Sequence, residues 1–204
     1  MLDYFKAELL RFRAWAIAYF ALHLAVLGFL TRVVDLAQQP KFAYQVFAAV
    51  YALSGLLLGA YQMGSYRRPN AWLQLLHRPV PRQRLAGGLM LAAAALLLVG
   101  VLLPLLAIAG WQEAMTARPL DSRHLWLALS AWLVSVCGYL AGAYALVANR
   151  RYSVAGGILL AGLCFASASG LAAIAVQLLV LAWLVAMVLV AFQPDACAPP
   201  RTAA

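Results

Sequence analysis

Six carboxylates, three histidines and three cysteines are the raw material from which this 204-residue chain could build an acid–base pair, a metal site or a thiol nucleophile. The carboxylates are Asp3, Glu8, Asp35, Glu113, Asp121 and Asp195, and sequence context places each at an interface, in a loop or in the tail. A carrier driven by protons or cations needs a carboxylate inside the bilayer to bind and release its ion, and that placement predicts none. His23 is the one ionisable residue well inside an apolar run. No second histidine, cysteine or acid lies one helical turn away, so it is expected to stay neutral and hydrogen-bond to a neighbouring helix rather than to hold a metal. Cys137, Cys164 and Cys197 share no ligand spacing and form no Cys-x-x-Cys pair, which makes them packing residues. Ser167 and Ser169 sit just before Gly170, but no later apolar run carries a histidine to activate either hydroxyl. No Gly-rich loop ending in Lys-Ser or Lys-Thr occurs, so the chain is expected to bind no nucleotide of its own. Catalysis is not what these residues are spaced for.

Composition names the setting. Hydrophobic residues make up 66% of the chain, charged residues 10%, and the mean hydropathy is +0.88. A soluble domain carries roughly 45–50% apolar and about 25% charged residues. Apolar runs here exceed the ~18 residues that suggest a membrane span, and no soluble core of this size could bury them. The net charge of +9 falls in short segments between those runs, as the positive-inside rule requires. No basic stripe suited to a nucleic-acid groove is present, so a nucleic-acid partner is not expected. The first apolar run is long and lacks a small-residue cleavage site, so it is not read as a signal peptide.

The elements follow from hydropathy. In residues 1–13, Leu2, Phe5, Leu9 and Phe12 keep helical spacing while Lys6, Arg11 and Arg13 supply charge, which predicts an interfacial amphipathic helix, the alternative being a polar extension of the first span. Residues 14–192 then form one all-α transmembrane domain of six spans. The first four run over Ala14–Val34, Phe42–Met63, Leu85–Ala109 and Leu125–Ala148, and Pro104 is expected to kink or end the third. The stretch Ser153–Phe192 is too long for one span at ~1.5 Å per residue. It should turn at Ala166-Ser167-Ala168-Ser169-Gly170, giving a short fifth span and a sixth from Leu171. Residues 193–204, rich in proline and alanine, should be disordered and cytoplasmic. With the N-terminus inside, Lys6, Arg11, Arg13, Arg67, Arg68, Arg78, Arg82, Arg84, Arg150, Arg151 and Arg201 lie on the cytoplasmic side. Only Arg32, Lys41, Arg118 and Arg123 lie opposite. The bias puts the N-terminus in the cytoplasm. A single tilted span over Ser153–Phe192 would move only Arg201 across, so it is the length of that stretch, read as two spans, that returns the C-terminus to the cytoplasm.

Five of those arginines flank a single loop, Tyr66–Arg84. Within it Pro69 can open a helix. Trp72, Leu75 and Leu76 then share one apolar face at i, i+3 and i+4, and Pro79 and Pro81 stop the helix. The expected object is a short helix lying along the membrane, with an apolar knob and cations at each end.

That order of features resembles the permease subunit of ABC-2-type ABC transporters. The resemblance rests on the amphipathic N-terminus, the six spans, the loop helix between spans two and three, and the stretch Leu75-Leu76-His77-Arg78-Pro79-Val80-Pro81-Arg82, similar to the family's leucine-rich Pro-x-x-Arg-like lead into span three. The break at Ser167–Gly170 is similar to the family's re-entrant hairpin, although the region before the last span is shorter than usual. The resemblance implies a coupling helix that docks on a separate cytoplasmic ABC ATPase. Trp72, Leu75, Leu76 and His77 would make the contact, and Arg78 and Arg82 would reach acidic groups on that partner. It further implies a dimer with a second permease copy or paralogue in a bacterial inner membrane, ATP held only by the partner, and no cofactor in this chain. A bundle lined by Leu, Ala and Tyr51, Tyr61, Tyr139 and Tyr144 would suit a lipid-linked or amphipathic cargo. The alternative is a non-transporting membrane scaffold that docks a cytoplasmic partner through the same loop.

Overall fold

The computed structural model describes residues 2–33, 41–66, 81–116, 122–147 and 171–192, and these are helical almost throughout. Six α-helices follow in order: α1 (Leu2–Val33), α2 (Lys41–Tyr66), α3 (Arg82–Leu97), α4 (Leu103–Thr116), α5 (Ser122–Val147) and α6 (Leu171–Ala191). A π-helical turn, Leu98–Leu102, joins α3 to α4 without a break. Five candidate spans result: Phe5–Leu30, Gln45–Tyr66, Arg82–Met115, His124–Val147 and Leu171–Ala191. Five apolar helices of that length fit a multi-pass membrane protein. The expected fifth span, the loop helix around Trp72 and the tail 193–204 fall outside the described residues.

Each helix forms because a long apolar run in lipid must satisfy its own backbone hydrogen bonds, and the runs are apolar nearly all round because lipid solvates whatever face the bundle leaves uncovered. On α1 the inward stripe is Glu8, Phe12, Ala16, His23 and Leu27, all buried. The expected interfacial segment Leu2–Arg13 is helical and continuous with the span that follows. At ~1.5 Å per residue the 32-residue α1 is longer than a ~30 Å hydrocarbon core. The third span likewise runs on past its proposed end: Pro104 does not end the helix, which passes through the π turn Leu98–Leu102 and continues to Thr116.

α5 is the hub, with every residue from Leu133 to Tyr144 buried. Its most extensive contact is with α2, and glycine explains why. Gly55 and Gly59 on α2, and Gly138 and Gly142 on α5, repeat the small-xxx-small spacing that lets two backbones meet. A methyl group on any of the four would fall on a backbone carbonyl oxygen opposite: Ser135 for Gly55, Tyr139 for Gly59, Ala52 for Gly138 and Leu56 for Gly142. These pairings rise together along both helices, so α2 and α5 run parallel. α6 packs on another side of α5, where Gln177 Nε2 donates to Ser130 Oγ at 2.7 Å. α1 leans on α3, the π turn and α4. Glu8 lies level with Gln62 and Tyr66, and His23 with Tyr51, so α1 and α2 are antiparallel.

The α2–α5 contact tolerates no added volume. Gly55→Leu or Gly138→Leu should cost about 1–3 kcal/mol or more through overpacking. Gly110→Ala, whose added methyl meets nothing within 4 Å, should be neutral or slightly stabilising. Thermal unfolding of the purified proteins in detergent would separate the two classes, and equal effects would contradict the contact.

Candidate functional site

Of the loop residues expected to touch a partner, Trp72, Leu75, Leu76, His77 and Arg78 lie outside the described residues. Arg82 is described: it is the first residue of α3, half-buried, with Pro81 as the extended residue before it (φ −54°, ψ 129°). Arg84 N and Leu85 N both donate to Pro81 O, at 2.9 and 3.2 Å, so helical pairing begins as soon as the loop ends. At the other end, α2 stays helical to Tyr66. The segment 67–80 therefore joins two helix ends in the chain.

The α2 end of that segment is tied down by a polar network. Gln62 Nε2 donates to Glu8 Oε2 at 2.7 Å, and Tyr66 Oη donates to Glu8 Oε1. Arg11 approaches the same carboxylate at 3.7 Å, and its second nitrogen donates to Ser65 Oγ at 3.0 Å. Ser65 in turn donates to Gln62 O at 2.6 Å. The Arg11 guanidinium also lies 4.8 Å from the Tyr66 ring centre, at cation–π range. Phe12 meets Tyr61 edge-on at 5.8 Å. The first turns of α1 are thus stitched to the last turn of α2.

Local chemistry accounts for each bond. The last turn of α2 carries no basic residue of its own, and its carbonyls form the negative end of the helix dipole. Arg11 supplies the missing cation from the neighbouring helix. Glu8 is only 6% exposed, and a carboxylate buried to that degree must be paired and hydrogen-bonded. Gln62, Tyr66 and Arg11 meet that demand together. Like Glu113, which falls inside the candidate span Arg82–Met115, Glu8 was expected at an interface or in a loop and lies instead in a span helix, packed against the end of α2. Spacing could have shown it. Glu8 falls one turn before Phe12 on the stripe that continues to Ala16 and His23.

A second polar cluster lies deeper in the bundle. His23, 9% exposed, meets the Gly100 carbonyl through Nδ1 and the Tyr51 hydroxyl through Nε2, both at 2.9 Å. Tyr19 stacks on the imidazole at 5.8 Å, and Trp15 stacks on Tyr19 at 5.1 Å. The expectation that His23 bonds to a neighbouring helix is met, twice over. Among the described residues no three His, Cys, Asp or Glu side chains converge as metal ligands would. Tyr51, Tyr139 and Tyr144 belong to the packed core, while Tyr61 is exposed. An open apolar groove of about 860 Å³ lies between α1 and α4, lined by Phe20, Leu24, Gly28, Phe29, Ile108 and Trp111 among others.

Compared with protein-family models, with curated proteins and with solved structures, the chain matches none.

The Glu8 network yields a direct test. Glu8→Leu removes the acceptor of two hydrogen bonds and leaves the Gln62 amide and Tyr66 hydroxyl buried without partners, at about 1–3 kcal/mol each. Tyr66→Phe removes one bond and should cost about 1 kcal/mol. Amide hydrogen exchange should rise in residues 5–12 and 60–66 of the Glu8→Leu protein and stay slow around Gly138. Uniform protection in both regions would show that the network holds nothing.

Proposed function

We propose that this chain is the membrane-spanning permease subunit of an ATP-driven transporter of the ABC-2 kind, worked by a separate cytoplasmic ATPase through the loop Tyr66–Arg84. The observation that carries the reading is the way the loop is rooted. α2 runs to Tyr66, α3 starts at Arg82, and the Glu8 network fixes the α2 end to α1. Force applied to residues 67–80 would pass into α2, from there through the glycine contact into α5, and through Glu8 and Arg11 into α1. A docking site that only anchors a partner gains nothing from such rigid roots, whereas a lever requires them.

In this reading the short helix opened by Pro69 presents Trp72, Leu75, Leu76 and His77 to a groove on the ATPase, with Arg78 and Arg82 meeting its acidic groups. ATP stays on the partner. A second permease copy or paralogue completes the pathway, six spans cross the inner membrane of a bacterium, and both termini face the cytoplasm. The cargo is lipid-linked or amphipathic. Support for that class comes from the apolar groove beside α1, which offers no ligand to a bare ion and a fitting surface to a hydrocarbon chain.

Tagged protein extracted from its native membranes should bring down a nucleotide-binding subunit. Trp72→Asp with Leu76→Asp should cut its recovery at least tenfold while the bundle stays inserted. Glu8→Gln should keep the ATPase bound and reduce transport, because it weakens the tie between loop and α1 without touching the knob. Recovery of no ATPase in any condition would sink the permease reading. Recovery of a different cytoplasmic protein would favour the scaffold.

A further inference from the structure

Pro104 is buried two residues beyond the π-helical turn Leu98–Leu102. Having no N–H, it offers nothing to the carbonyl four residues earlier, and its ring crowds that same carbonyl. The residue four positions earlier is Gly100. The Gly100 carbonyl is the group that His23 Nδ1 reaches, at 2.9 Å. A carbonyl oxygen can only accept, so Nδ1 must carry the imidazole proton, and in the neutral ring Nε2 then accepts from the Tyr51 hydroxyl at 2.9 Å. Two helices thereby hold the imidazole in one tautomer. Residue 100 is glycine for a matching reason, since a Cβ there would meet the ring of Tyr19, which itself stacks on His23.

The helix beyond this turn has a defined neighbour. Ala107, Ile108 and Trp111 of α4 form one wall of the apolar groove, and Phe20 to Phe29 of α1 form the other. A π turn followed by proline is where a long helix can change direction, so whatever fixes the turn fixes the spacing of those walls.

We propose that His23 is the latch of a hinge in the long helix Arg82–Thr116: by donating to Gly100 it replaces the backbone hydrogen bond that Pro104 cannot make, and it thereby sets the width of the groove between α1 and α4. The inference stands apart from the coupling reading, since it concerns the other end of the bundle and needs no ATPase.

The test is a distance measurement across the groove. Spin labels go on Phe29→Cys and Met115→Cys, both exposed positions, in protein whose Cys137, Cys164 and Cys197 are replaced by alanine. In lipid nanodiscs the parent should give one narrow distance distribution. His23→Leu should at least double its width. Pro104→Ala returns an N–H to the Gly100 carbonyl, so the His23→Leu, Pro104→Ala protein should be as narrow as the parent. Unchanged width in His23→Leu, or equal broadening with and without Pro104, would overturn the latch. A second measurement does not depend on removing His23. Nitrogen-15 NMR of His77→Gln, His124→Gln protein, in which His23 is the sole imidazole, should show Nδ1 protonated and Nε2 bare. A neutral ring with its proton on Nε2 would also overturn it.

Discussion

Backbone contact between α2 and α5 sets the distance on which the other contacts depend. Four glycines, at 55, 59, 138 and 142, bring the two helices close enough that a single methyl group would strike a carbonyl. In a lipid setting no hydrophobic force drives helices together, so close van der Waals packing of backbones is a main source of association. Once α5 is locked to α2 it offers its remaining faces to the π turn, to α3 and to α6. The side chains buried in the hub follow from that spacing.

Polar residues then decide how the outer helices attach. α1 is held at two levels, by Glu8 and Arg11 at the loop end and by His23 in the middle. Between them lie Phe12 and Ala16, packed on Leu96. The alternation is physically sensible. Apolar contacts between membrane helices resemble contacts with lipid, so they position a helix only loosely, whereas a buried carboxylate or imidazole has few places where its hydrogen bonds can be made. α6 is anchored by Gln177 on Ser130, and most of its surface stays exposed.

The two polar levels serve different ends of the molecule. The Glu8 network grips the root of the basic loop, and the His23 cluster grips the turn below the apolar groove. α1 is thus fastened at both levels, to the loop end of α2 through Glu8 and Arg11 and to the turn of the third span through His23, a role that its composition alone would not suggest.

Much of this was legible in the residues. Apolar period and run length predict an all-helical membrane bundle, since lipid demands that each span satisfy its own backbone. The isolation of His23 predicted a cross-helix hydrogen bond, and proline at 104 predicted a distortion. Glu8 was less legible, because charge near a chain terminus reads as interfacial until its place on the stripe with Phe12 and Ala16 is noticed. The partner of His23 was not legible at all. Which carbonyl Pro104 leaves open follows from chain geometry, but which side chain reaches it depends on the rotation of α1 against α3. Sequence by itself determined where helices run, because the length and apolarity of a run are one-dimensional properties. Tertiary structure alone decided which faces meet, because that depends on how near two backbones can come, and here four missing side chains set the distance.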